Sequence, residues 1–134
     1  MIKLIDSSVW LEFLHRQGSM ACQQSVATLV GRREAAYCGL IEFELLAGAR
    51  TPRDEEYLQI TFEMCQRLEM KESLWGEAGR AQFQLSRKGK RVGLGDLLIA
   101  TVARAHRVPV LTRDADFERI RDLIWSDLQV EKLT

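Results

Sequence analysis

Apolar and polar positions along the chain follow two periods. Short apolar runs at residues 2–5, 35–40 and 108–112 read as buried strands, because they are brief, rich in aliphatic side chains and followed at once by helix-starting residues. Between them, apolar residues recur at helical spacing. Asp6-Ser7-Ser8 offers capping side chains to a first helix carrying Val9, Trp10, Phe13 and Leu14. Gly18-Ser19 breaks that helix, and a second runs from about Met20 to Val30. A short helix over Ile41–Gly48 follows the second strand. Thr51-Pro52, followed by Asp54, Glu55 and Glu56, is a clear start signal, with a hydroxyl cap, a proline at the first helical position and acids in the first turn. Leu58, Phe62, Cys65 and Leu68 mark the apolar stripe of that helix. Another spans Ser73–Arg87, with Leu74, Ala78, Ala81 and Leu85 on one face and glycines at 76 and 79 that suggest close packing. Leu94, Leu97, Leu98, Thr101, Val102 and Ala105 keep helical spacing, a short helix covers Ala115–Arg121, and Leu123–Trp125 is expected as a last edge strand.

Strand and helix alternate throughout, without a repeat, a low-complexity segment or an obvious linker. The pattern predicts one α/β domain over residues 1–134, a mostly parallel central sheet sandwiched by helices in three layers. Composition fits: 46% hydrophobic and 28% charged residues are the balance of an ordinary globular chain. With 19 basic against 19 acidic residues, no strongly basic nucleic-acid footprint exists, so an anionic partner must be held by local patches and metal. Cys22, Cys38 and Cys65 are odd in number and form no Cys-x-x-Cys pair, which argues against zinc or a disulfide framework and for a reducing compartment. No run approaches the ~18 apolar residues that span a bilayer. Asp6, Glu12 and His15 interrupt any secretory core, so the expected location is the cytoplasm, away from membranes.

Five acids change this bland picture. Asp6 closes the first strand, Glu44 lies on the helix after the second, Asp96 opens the helix after Gly93 and Gly95, and Asp114 and Asp116 follow the strand ending at Thr112. In an open α/β sheet, ligands bind at the carboxyl ends of the strands. Carboxylates converging there repel one another unless a cation neutralises them, and Mg²⁺ prefers oxygen ligands. Each acid also has a plainer explanation. Asp6 suits a helix cap, Asp96 suits a helix dipole and Asp114 suits a turn. Such explanations account less well for the recurrence of one address. Glu42 and Glu44 stand about 200° apart on their helix, so only one can face the site; Glu44, set among Phe43, Leu45 and Leu46, is the choice.

Arg87, Lys88, Lys90 and Arg91 form a basic loop just before Gly93, and Arg113 lies between Thr112 and Asp114. These cations suit a phosphate backbone, either as a binding rim or simply as solvated surface. Trp10 and Trp75 are weak candidates for base stacking. His15 and His106 have no evident catalytic partner. Neither a Gly-x-Ser-x-Gly turn nor a phosphate loop ending in Gly-Lys-[Ser/Thr] occurs.

Four stretches in order carry a family resemblance: Ile5-Asp6-Ser7-Ser8-Val9-Trp10, Glu44-Leu45-Leu46-Ala47-Gly48, Asp96-Leu97-Leu98-Ile99-Ala100-Thr101-Val102-Ala103 and Leu111-Thr112-Arg113-Asp114-Ala115-Asp116-Phe117. The chain resembles, over essentially its whole length, the PIN-domain ribonucleases, and among them the VapC-type toxins of bacterial toxin–antitoxin pairs. The resemblance implies a PIN-like α/β/α fold and an acidic metal site of Asp6, Glu44, Asp96 and Asp114, often joined by Asp116, with Ser8 and Thr112 as supporting hydroxyls. It implies Mg²⁺- or Mn²⁺-dependent endoribonuclease activity leaving a 5′-phosphate and a 3′-hydroxyl. A cognate VapB-type antitoxin is the implied partner, in a toxin–antitoxin hetero-oligomer. Dimerisation is expected through the helices matching Thr51–Arg87, with Gly76 and Gly79 helping to form the antitoxin groove.

Two other readings compete. Phosphatases with Asp-x-Asp after the first strand are disfavoured because Ser8 takes the third position, and receiver domains because no lysine follows the strand at 108–112. A catalytically silent RNA-binding module of the same fold would be favoured by lost acids, and none is lost.

Overall fold

A computed structural model describes residues 1–134. Five parallel strands form one sheet in the order β3-β2-β1-β4-β5. They are β1 (Lys3–Ile5), β2 (Ala35–Tyr37), β3 (Gln66–Arg67), β4 (Val110–Thr112) and β5 (Val130–Lys132). Seven helices cover it: α1 (Ser7–Leu14), α2 (Met20–Gly31), α3 (Gly39–Ala47), α4 (Pro52–Glu63), α5 (Ser73–Arg87), α6 (Leu94–His106) and α7 (Asp116–Leu123). The result is the expected α/β/α sandwich. Strands buried on both faces need apolar side chains at consecutive positions. Ala35-Ala36-Tyr37 and Val110-Leu111-Thr112 are accordingly buried at every residue.

The chain leaves β1 toward β2 and β3, then returns to the other side of β1 for β4 and β5. Strand order therefore reverses between β1 and β4, the place where an open α/β sheet is expected to form a ligand crevice at the strands' carboxyl ends. Register fixes what faces that crevice. Leu4 pairs with Val110 and Ile5 with Leu111. The Asp6 N–H donates to the Leu111 carbonyl at 2.9 Å, so Asp6 and Thr112 emerge side by side.

Aromatic packing holds α1 and α4 against the sheet. Trp10 is fully buried, edge-on to Phe13 at 5.9 Å and to Phe62 at 6.1 Å, and Phe62 stacks on Tyr37 at 4.4 Å. At the start of α4 the Thr51 hydroxyl accepts from the Asp54 N–H at 3.1 Å, as the sequence signal required.

Several boundaries differ from expectation. β2 stops at Tyr37 and α3 begins at Gly39, so Cys38 stands at the N-cap position of a helix, without a side-chain capping bond, instead of extending a strand. α4 ends at Glu63, which leaves Cys65 and Leu68 outside it, around the two-residue strand β3. The last strand is β5, not Leu123–Trp125; Leu123 ends α7. Gly76 and Gly79 do not permit close packing within the chain. A methyl group at Gly79 would meet nothing within 4 Å, and one at Gly76 would meet only the Arg80 side chain, at 3.2 Å. No helix is long and apolar enough to cross a membrane.

Candidate active site

Asp6 occupies the N-cap position of α1, yet its side chain caps nothing. The carboxylate is 1% exposed, and its Oδ2 accepts from the Ser8 hydroxyl at 2.7 Å and the Thr112 hydroxyl at 2.8 Å. Both hydroxyls are oriented by a second bond. Ser8 Oγ accepts from the Arg113 N–H at 3.1 Å, and Thr112 Oγ1 accepts from the Asp114 N–H at 2.9 Å. Each hydroxyl proton is thereby aimed at Asp6. Asp114 Oδ1 in turn accepts from the Asp116 N–H at 2.9 Å. A continuous hydrogen-bonded path thus runs from Asp6 through Thr112 and Asp114 to Asp116. A buried carboxylate needs such partners, since an unpaired buried charge is costly.

Asp96 arrives from a third segment. It lies in the first turn of α6, whose N-cap residue Gly93 supplies no side-chain cap. One carboxylate oxygen from each of Asp96, Asp114 and Asp116 lies within 4.8 Å of the other two. Burial, then hydrogen bonding and repulsion from Asp114, pushes the Asp96 carboxyl up to about 8, with Asp6 and Asp116 adding smaller effects in the same direction. Glu44 stands against the start of α6. Its Oε2 lies 3.7 Å from where a side chain at Gly95 would begin. Burial raises its pKa first and the Asp6 charge second, and a hydrogen bond with the Ser7 hydroxyl opposes the shift. Glu42 pairs with Arg67 at 2.7 Å, and Glu44 is exposed, not buried among its apolar neighbours as the sequence suggested.

The five acids comprise a tight group of three, Asp96, Asp114 and Asp116, with Asp6 acting electrostatically on Asp96 and on Glu44. The oxygen-only donor set, its partial burial and the raised Asp96 carboxyl fit a hard divalent cation. A cation would offset the burial and the carboxylate repulsion that together raise the Asp96 carboxyl.

Several of the basic residues have partners within the chain. The Arg113 guanidinium is ion-paired to Glu12 on α1. Lys88 Nζ donates to the Leu123 carbonyl at 2.5 Å. That carbonyl ends α7, an eight-residue helix about 12 Å long that starts at Asp116. Arg87 lies over the Phe83 ring at 5.7 Å, while Lys90 and Arg91 are exposed. Trp10 is unavailable for base stacking because it is fully buried, whereas Trp75 is exposed. His106 Nε2 lies 2.9 Å from the Glu69 carbonyl oxygen, a structural contact. Sequence reasoning missed Arg119, which pairs with Asp116 at 2.7 Å; the three-residue spacing between them on a helix was the available signal.

Comparison with known proteins identifies the family. The family model described as PIN domain matches residues 3–123. The chain is 32% identical over 120 residues to ribonuclease VapC21 of Mycobacterium tuberculosis, covering 87% of this chain and 84% of the relative. It is 31% identical over 121 residues to VapC ribonuclease Mb1587 of Mycobacterium bovis, covering 87% and 90%. Among solved structures, VapBC2 from Rickettsia felis bound to a promoter DNA fragment superposes with a TM-score of 0.80 at 20% identity, covering 98% of each chain. FitAcB from Neisseria gonorrhoeae gives 0.74 at 21%, covering 97% of this chain and 96% of the other. At those identities the structural likeness speaks to the fold. Together with the matched residues and the two VapC relatives, it establishes that the chain belongs to the PIN-domain family.

Proposed function

We propose that this protein is a metal-dependent endoribonuclease acting as the toxin of a toxin–antitoxin pair, with residues 1–134 working as a single PIN domain in the cytoplasm. The observation that carries the reading is the trio of Asp96, Asp114 and Asp116 at the strand-order reversal, with one carboxyl driven up to about 8. Its relatives are named ribonucleases, which supports RNA as the substrate class.

Asp96, Asp114, Asp116 and Asp6 would hold Mg²⁺ or Mn²⁺, with Glu44 completing the acidic wall. A bound divalent cation supplies Lewis acidity toward a phosphate oxygen and toward water. The chain's own residues do the rest. Ser8 and Thr112 fix Asp6 in orientation by donating to a single oxygen, Oδ2. Glu44, raised by burial and by Asp6, is the acid best suited to accept a proton from the attacking water. Arg87, Lys88, Lys90, Arg91 and Arg113 would contribute general attraction for the RNA backbone, with Arg113 free to do so once released from Glu12.

The partner reading is a VapB-type antitoxin, supported by the VapBC complexes that share the fold. Self-association through the Thr51–Arg87 region is supported by exposed Tyr57 and Ile60 on α4, Met64 just after it, and Trp75 and Phe83 on α5. Gly79 leaves open space on the same stretch of α5.

The test is incubation of the purified protein with transfer and ribosomal RNA in Mg²⁺, in Mn²⁺ and in chelator. Cutting that needs the metal and disappears in Asp6→Ala and Asp96→Ala is the expected result. RNA binding without cutting under every condition would point to a silent RNA-binding module instead.

A further inference from the structure

Of the ion pairs in the protein, only one engages any of the five site acids, that between Arg119 and Asp116. Arg119 Nη1 donates to Asp116 Oδ1 at 2.7 Å within one turn of α7. That carboxylate also belongs to the trio in which one oxygen from each residue lies within 4.8 Å of the other two. The Arg119 side chain is 45% exposed, so part of its guanidinium faces solvent at the edge of the cluster.

A guanidinium and a divalent cation cannot share one carboxylate without cost, because both are positive and both draw on the same lone pairs. A cation entering the trio therefore loosens Arg119 from Asp116. Once loosened, Arg119 presents a planar fork of donors matched to phosphate, beside the place where the nuclease reading puts an RNA backbone. Neighbouring cations are otherwise engaged: Arg113 by Glu12, Lys88 by the Leu123 carbonyl.

We propose that Arg119 is a substrate-binding residue that exchanges Asp116 for an RNA phosphate when a divalent cation occupies the acidic cluster. The inference rests on the nuclease reading above. It assigns one residue two effects of opposite sign, competition with the cation in the free protein and attraction of RNA in the loaded one.

The experiment uses the full chain, Mn²⁺ as the metal probe and a fluorescent single-stranded RNA in Ca²⁺ as the substrate probe. Arg119→Gln is expected to tighten Mn²⁺ binding about threefold, the scale of one exposed ion pair. It should also weaken RNA binding and make the log–log salt dependence shallower by about 0.7. Arg119→Lys should keep the salt slope while recovering part of the affinity. A merely structural ion pair would shift the melting temperature and move neither Mn²⁺ affinity upward nor the salt slope. Unchanged or weakened Mn²⁺ binding in Arg119→Gln, or an unchanged salt slope, overturns the assignment even where wild type binds both probes. Wild type that binds neither probe overturns the nuclease reading itself.

Discussion

The Thr112 hydroxyl donates to Asp6 Oδ2 at 2.8 Å across residues 106 positions apart in sequence. The bond ties the carboxyl ends of β1 and β4 together at the point where strand order reverses. Thr112→Val keeps the shape and removes the donor, so the loss is that of a hydrogen bond to a buried charge. Urea unfolding is expected to show a cost of about 1–3 kcal/mol. RNA cleavage should fall as well, because Asp6 loses one of the two hydroxyls that orient it. An unchanged unfolding midpoint would show that Asp6 does not depend on Thr112.

Crowding at Asp96 has a pH signature. In the folded, cation-free protein this carboxyl keeps its proton up to about pH 8, against about 3.9 for an unperturbed aspartate. Between those limits the unfolded chain binds fewer protons than the folded one, so stability falls as pH rises. A melting temperature measured in chelator should therefore decline steadily from about pH 5 to about pH 8. Saturating Mg²⁺ should reverse the decline by taking the proton's place. A melting temperature that climbs over this range in chelator would contradict the account.

Asp96→Asn removes the repelled charge without changing shape. In chelator at pH 8 the variant should be more stable than wild type, by about 1 kcal/mol or more, while cleavage falls at least about a hundredfold. The combination separates a functional acid, which strains the fold, from a structural one, whose loss would destabilise it. Chemical unfolding in chelator, paired with an RNA cleavage assay, reads both effects.

Arg104 is a structural counterpart away from the site. It pairs with Glu77 at 2.5 Å and Asp127 at 2.9 Å, and lies over the Trp125 ring at 4.7 Å. These contacts join α5, α6 and the segment after α7. Arg104→Ala should cost about 1–2 kcal/mol through lost stacking and stem packing, with cation affinity unchanged. A differential loss of Mn²⁺ binding would show instead that this network reaches the site.

Much of this was legible in the sequence because the strands that build the crevice are buried and apolar. Ile2–Ile5 and Val108–Thr112 announce β1 and β4, and the acids after them mark the edge where ligands sit. β3 and β5 were not legible for physical reasons. Two residues, Gln66 and Arg67, cannot display a period, and Val130-Glu131-Lys132 at the sheet edge needs no apolar run. The boundary at Cys38 was lost because Gly39 and Leu40 continue the apolar run of β2 while already beginning α3. At the site, the acids could be picked out one by one. Their spacing from one another, the shared use of Asp6 Oδ2 by two hydroxyls and the Arg119–Asp116 pair are products of tertiary structure. The partners of two expected rim cations were hidden for the same reason, since Glu12 and the Leu123 carbonyl reach Arg113 and Lys88 only in the folded chain.

Titration of the protein with Mn²⁺, followed by the loss of free-ion signal, addresses the shared cation directly. Wild type should bind in a saturable way, and Asp6→Asn, Asp96→Asn and Asp114→Asn should each weaken binding by about tenfold or more, as expected when one ligand of a common ion is removed. Equal Mn²⁺ affinity in wild type and all three variants would mean that these acids do not grip one ion.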